Sequence, residues 1–170
     1  EVPDRWQANY ADATFLVVGD TLAALQQLAA RHRQRFTIPV VGITGSNGKT
    51  MVKEWLYQTL SKDHVVTRSP RSYNSQVGVP LSLWLLDAQT QVAVFEAGIS
   101  QPGEMQVLHD IIRPTLGVLT MIGEAHQENF PSIEAKCQEK LRLFEGTEAL
   151  VYPQDDPLVA RCVAGSGYQG

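Results

Sequence analysis

Six consecutive residues, Gly45-Ser46-Asn47-Gly48-Lys49-Thr50, carry the densest chemical signal in the chain. Glycines let backbone N–H groups turn inward around phosphate oxygens without Cβ clashes, and a helix N-terminus that follows adds positive potential. Lys49 would then reach the β- and γ-phosphates of a nucleotide, and the Thr50 hydroxyl would ligate Mg²⁺. The usual spacing has a glycine five residues before Gly48. That place is Ile43 here, flanked by Gly42 and Gly45, so the loop is a compressed variant. The plain alternative is a glycine-rich turn whose lysine is merely solvated. Phosphate binding by itself does not choose among a kinase, a GTPase, an ATP-driven ligase and a nucleotide sensor.

Further candidates follow apolar runs. Glu96 closes the run Val92–Phe95 next to Gly98, where a carboxylate either reaches a Mg²⁺ beside Thr50 or caps a helix. His126 follows Leu116–Met121 through a loop containing Gly123, as a metal ligand or an ordinary loop histidine. Asn74, with Gln76 nearby, opens another loop on the same side. Lys140 stands out by its neighbours. On a helix from Ser132 to Glu145, the residues Ile133, Cys137, Leu141 and Phe144 share one face, and Lys140 falls inside that stripe. Lys136 is expected at its margin, with Glu139 and Arg142 pointing away. The bland reading of Lys140 is an amine that snorkels to water. The chemical one is an amine whose pKa is lowered by partial burial, able to take up CO₂ as an anionic carbamate that ligates Mg²⁺.

Strand-like segments are Ala13–Val18, Ile38–Thr44, His64–Arg68, Val92–Ala97, Leu116–Met121 and Ala149–Tyr152. Helical patterns fall between them, at about 20–33, 49–61, 79–87, 103–112 and 132–145, with Asp20 as an N-cap. Strict alternation predicts βαβ units and an α/β fold with a parallel sheet covered on both faces. Ligands of such sheets bind at the carboxyl ends of strands, so the residues just after each strand are the ones to inspect. Residues 1–36 read as a linker with a leading strand and helix, 37–163 as an incomplete phosphate-loop domain and 164–170 as a flexible tail.

The 170 residues suit one domain with a self-sufficient core. With 14 Lys+Arg against 18 Asp+Glu, the net charge of −4 argues against coating nucleic acid. No apolar stretch is long enough to span a bilayer. Cys137 and Cys162 lack zinc-site or disulfide-framework spacing and fit a core in a reducing compartment, and the four histidines form no HExxH cluster. The opening Glu-Val-Pro-Asp-Arg-Trp is neither a signal peptide nor a natural initiator, so the chain is expected to be a piece of a longer one.

Thr44-Gly-Ser-Asn-Gly-Lys-Thr50 resembles the TGxxGKT loop of the Mur ligases and folylpolyglutamate synthetases. Further matches come in the family's order: Asn74-Ser-Gln-Val-Gly-Val-Pro80, Phe95-Glu-Ala-Gly-Ile-Ser-Gln-Pro-Gly-Glu-Met105, Gly123-Glu-Ala-His126 and Lys140-Leu-Arg-Leu-Phe144. The likeness runs from about Phe15 to Pro153. Its Glu-Ala-Gly and Pro-Gly-Glu elements favour the branch that adds D-Ala-D-Ala to UDP-MurNAc-tripeptide in peptidoglycan synthesis.

The resemblance implies the central ATPase domain of a cytoplasmic ligase, lying between a UDP-sugar domain and a carboxyl-terminal domain. It implies ATP held by residues 45–50 and Asn74, and two Mg²⁺ sites served by Thr50, Glu96, His126 and a carbamylated Lys140. Lys49, Lys140 and His126 are the implied catalytic groups, and the route is through an acyl phosphate. The family's H-x-x-x-N adenosine segment is not in this sequence. A folylpolyglutamate synthetase-like ligase and a non-catalytic nucleotide-binding module stay open.

Overall fold

A computed structural model describes residues 2–125 and 127–168. A short helix, α1 (Asp4–Asn9), precedes α2 (Thr21–Arg33). Then follow β1 (Val40–Thr44), α3 (Lys49–Leu60), β2 (Val66–Arg68), α4 (Gly78–Leu83), β3 (Val92–Glu96), α5 (Glu104–Ile112) and β4 (Leu116–Leu119). The chain closes with α6 (Ile133–Leu141), β5 (Ala149–Val151) and α7 (Pro157–Gly165). Two 3₁₀ turns, Gln127–Asn129 and Arg142–Phe144, flank α6.

All five strands run parallel, in the order β2-β3-β1-β4-β5. The expected parallel sheet is thus present, and both its faces are covered. Period-two alternation divides the core: Val40, Ala93, Phe95 and Leu119 belong to the cluster packed with α2, α4, α5 and α6. Val41, Ile43 and Val94 face the other way, onto Val52, Leu56 and Leu60 of α3. The helix α5 turns an apolar stripe to its side of the sheet. Met105, Leu108, Ile111 and Ile112 of α5 are all buried, and such burial stabilises by about 1.5–3 kcal/mol per side chain.

The expected cap of α2 is present: Asp20 accepts from the N–H groups of Leu22 and Ala23. Residues 13–18 correct the sequence reading. They form no strand, and Leu16 and Val17 are exposed, because no neighbouring strand offers the backbone partners that an isolated extended segment needs. The carboxyl end needs a second correction. Ala164 and Gly165, assigned to a tail, complete α7, which begins at an Asp156 cap with Pro157 in the first turn. Its Val159, Cys162 and Val163 are buried. The Asp-Pro pair was the available signal, but nine residues are too few for periodicity to announce them.

Candidate functional site

The loop between β1 and α3 owes its shape to two glycines. Gly45 has φ +143°, and a Cβ there would stand 1.9 Å from Thr120 Oγ1. Gly48, at φ +86°, is the residue before the first turn of α3. The loop is laced to the chain leaving β4. Ser46 N donates to Met121 O at 2.8 Å, Ser46 Oγ accepts from Gly123 N at 2.9 Å, and Thr120 Oγ1 donates to Asn47 O at 2.6 Å. Thr120 and Met121 carried no signal of their own beyond ending an apolar run.

Lys49 folds back over this loop, with Nζ donating to Gly45 O at 2.9 Å and Ser46 O at 3.3 Å. Burial pushes its amine below the usual lysine range, and Glu96 partly offsets that. Thr50, next on α3, donates its hydroxyl to Glu96 Oε2 at 3.1 Å. Glu96 is wholly buried at the end of β3. Asn74 reaches the same oxygen, Nδ2 to Oε2 at 3.4 Å. It can do so because residue 98 is glycine: a Cβ there would meet Asn74 Oδ1 at 2.8 Å. Gly98 N also donates to Asn74 O at 2.7 Å. Gln76 points elsewhere. Its amide donates to Glu104 O, and Gln26 Nε2 donates to its Oε1.

Lys140 lies inside the apolar stripe of α6, as expected, and is 3 % exposed. Its Nζ approaches Gly45 O at 3.3 Å, so the amine enters the phosphate-loop region instead of snorkelling to water. Burial, then the charges of Lys49 and Lys136, pull its pKa down to about 8. His126 lies outside the described residues.

Two neighbours on α6 correct the sequence reading. Lys136, expected at the margin of the stripe, is buried and donates to the carbonyls of Gly123 and Ala125. Glu139, expected to point away, is buried and accepts from Gly103 N at 2.7 Å and Met105 N at 3.2 Å. It supplies the start of α5 with the acceptor that orphan helix donors require. Arg142 is half exposed, as expected.

A third charged residue, Lys53, escaped sequence reasoning altogether. It is wholly buried, and its Nζ lies 3.0 Å from Glu96 Oε1. Its place one turn after Lys49 was the available signal.

Gly45, Ser46, Lys49, Asn74, Gln76 and Lys140 line one cleft of about 440 Å³ at the carboxyl edge of the sheet. A larger hollow of about 750 Å³, between Gln138 and Tyr168, contains none of these groups and lies away from the loop. The hydroxyl of Thr50 and the carboxylate of Glu96 are hard oxygen donors on one spot, a set that suits Mg²⁺. Among the described residues no group of three or more His, Cys, Asp or Glu side chains is clustered for a metal, so a cation there would complete its shell with water or phosphate oxygens. No helix among the described residues is long and apolar enough to cross a membrane.

Residues 43–168 match the Mur ligase middle domain. The UDP-N-acetylmuramoyl-tripeptide–D-alanyl-D-alanine ligase of Bacillus subtilis is 36% identical over 147 residues, covering 85% of this chain and 32% of that protein. The crystal structure of MurF from Acinetobacter baumannii superposes with a TM-score of 0.83 at 32% identity, covering 91% of this chain and 36% of that one. MurF from Thermotoga maritima, solved in complex with ADP, gives a TM-score of 0.80 at 32% identity, over 89% of this chain and 36% of that one. A folylpolyglutamate synthetase shares the fold at 18% identity. The chain spans about a third of the length of the curated relatives it matches.

Proposed function

The chain belongs to the Mur ligase family, and we propose that it is the nucleotide-binding core of a cytoplasmic ligase that joins D-Ala-D-Ala to UDP-MurNAc-tripeptide. The observation that carries this reading is the convergence of Lys49, Asn74 and Lys140 on one cleft beside the glycine loop, with the Thr50–Glu96 pair bonded to Asn74 behind it. Relatives of that name match at 36% and 42% identity, which favours this branch over the folylpolyglutamate synthetases.

In the proposed reaction, ATP phosphorylates the tripeptide carboxylate, giving an acyl phosphate and ADP. The amine of D-Ala-D-Ala attacks the acyl carbon, forming the amide and releasing phosphate and a proton. The loop N–H groups other than that of Ser46, which is donated to Met121 O, and the Lys49 amine hold the phosphates in line for transfer, a task that consists mainly of positioning and charge stabilisation. Asn74 borders the same space and serves the γ-phosphate end. Thr50 and Glu96 would hold Mg²⁺, with His126, Lys140 and the same Glu96 carboxylate at a second ion. Bound there, Mg²⁺ neutralises charge on the migrating phosphoryl group.

Lys140 is the proposed carbamate carrier. Its neutral amine adds CO₂ and loses a proton, converting a cation into an oxygen ligand. An amine held near pKa 8 supports this reading, since an appreciable fraction is neutral at physiological pH. Residues 37–163 form the body of the domain in this proposal, with residues 1–36 linking to it, and the substrate pockets belong to flanking domains.

The test is phosphate release by the intact protein. Release that requires ATP, the UDP-sugar tripeptide and D-Ala-D-Ala together, and disappears in Lys49→Ala, is expected. Activity on folate and glutamate instead, or nucleotide binding with no acceptor-dependent turnover, overturns the assignment.

A further inference from the structure

Glu96 offers its two oxygens to different neighbours. Oε2 faces the Thr50 hydroxyl and the Asn74 amide, while among the described residues Oε1 meets Lys53 alone, as an ion pair at 3.0 Å without a hydrogen bond of good geometry. Lys53 itself is fixed on its other sides. Its Nζ lies 3.2 Å from Glu54 Oε1 and donates to the carbonyl of Arg71. Arg71 holds φ at +47°, a left-handed value that costs a non-glycine residue energy and persists only where its surroundings impose it. Glu54 pairs in turn with Arg68, whose guanidinium sits 3.9 Å above the ring of Tyr57. The lysine is therefore immobilised, and with it the oxygen it covers.

We propose that Lys53 is a specificity-determining residue: by occupying Oε1 it makes Glu96 a one-oxygen ligand and thereby favours Mg²⁺ over Ca²⁺. The proposal rests on the reading of this cleft as a Mg²⁺–nucleotide site. Mg²⁺ demands near-octahedral geometry, keeps several waters and takes one or two carboxylates. Ca²⁺ accepts about six to eight oxygens in looser geometry and readily uses both oxygens of a carboxylate. A two-oxygen grip on Glu96 requires the space that Lys53 fills. Lys53 touches neither nucleotide nor acceptor in this scheme and acts through the carboxylate.

The experiment is binding of a fluorescent ADP analogue to the full-length protein, titrated with Mg²⁺ and separately with Ca²⁺. The wild type should bind more tightly with Mg²⁺. Lys53→Met, which frees Oε1, should narrow the Mg²⁺/Ca²⁺ preference by roughly tenfold, whereas Lys53→Gln, still able to donate to Oε1, should keep it. Equal weakening with both cations in Lys53→Met would make Lys53 a structural residue and overturn the proposal. A structure of the unmodified protein with Mg²⁺ and ADP tests it without any variant. Coordination through Oε2 alone is expected, and coordination through both oxygens overturns it. A wild type that binds no nucleotide with any cation would instead bring down the reading of the cleft, and this inference with it.

Discussion

Lys49 and Lys140, from different helices, aim their amines at one oxygen, the carbonyl of Gly45, at 2.9 and 3.3 Å. One carbonyl dipole cannot balance two cations, and the buried member of the pair is the one whose pKa falls to about 8. Two amines converging in this way favour an anion beside them, as a phosphate would supply.

Lys140→Ala in the intact protein should abolish ligation while leaving the fold unchanged. Circular dichroism checks the fold, and acceptor-dependent phosphate release checks the activity. Added short carboxylic acids should restore part of the rate by filling the vacated ligand position. Full activity of Lys140→Ala at ordinary Mg²⁺ would eliminate the carbamate.

The same lysine has a signature in stability. Its folded pKa of about 8 lies below the ordinary 10.5, so below pH 8 both states carry the proton and the full cost of a buried cation is present. Between pH 8 and about 10.5 the unfolded chain binds more protons than the folded one, and this lysine's penalty shrinks as pH rises. In metal-free, CO₂-free buffer, Lys140→Met should therefore melt above the wild type at pH 7.5, with the gap closing towards pH 10.5. Melting curves whose difference is constant or widens with pH would contradict this.

Gly45→Ala should damage the loop more than the fold. A side chain at φ +143° is strained, and its Cβ would overlap Thr120 Oγ1, which ties Asn47 in place. The loop must shift, and affinity for a fluorescent nucleotide analogue should fall by about tenfold or more for each ~1.4 kcal/mol of distortion. An unchanged affinity would show that the loop tolerates the shift.

Glu139 ties α6 to the first turn of α5. Glu139→Ala should lower stability by about 1–3 kcal/mol, because two N–H groups lose their acceptor. Glu139→Gln keeps an accepting oxygen and should retain most of it. Urea midpoints at constant slope measure both, and equal loss in the two variants would assign the effect to the charge.

The 170 residues alone should not ligate. The phosphate contacts of residues 45–50 are local, but substrate positioning in such chemistry comes from domains closing around the reacting groups. Turnover by the isolated chain in the phosphate-release assay would show that the domain boundaries are drawn wrongly.

Much of the site could be read from the sequence because its signals are local. The 45–50 loop sits between its own strand and helix, Glu96 ends its own apolar run, and Lys140 is marked by the helical spacing of Ile133, Cys137 and Phe144. Parallel alternation likewise follows from pattern, since each strand is buried by the helix beside it. The errors have the opposite character. Residues 13–18 look like a strand, but only a pairing edge could make them one, and none lies alongside. Lys53, Lys136 and Glu139 look like solvated charges on helix surfaces. The partners that compensate them include residues 96 and 71, 123 and 125, and 103 and 105, all outside the helices that carry the charges. A buried charge is tolerated only where folding brings compensating dipoles or an opposite charge to it, so its burial is decided by the tertiary structure and leaves no periodicity to read.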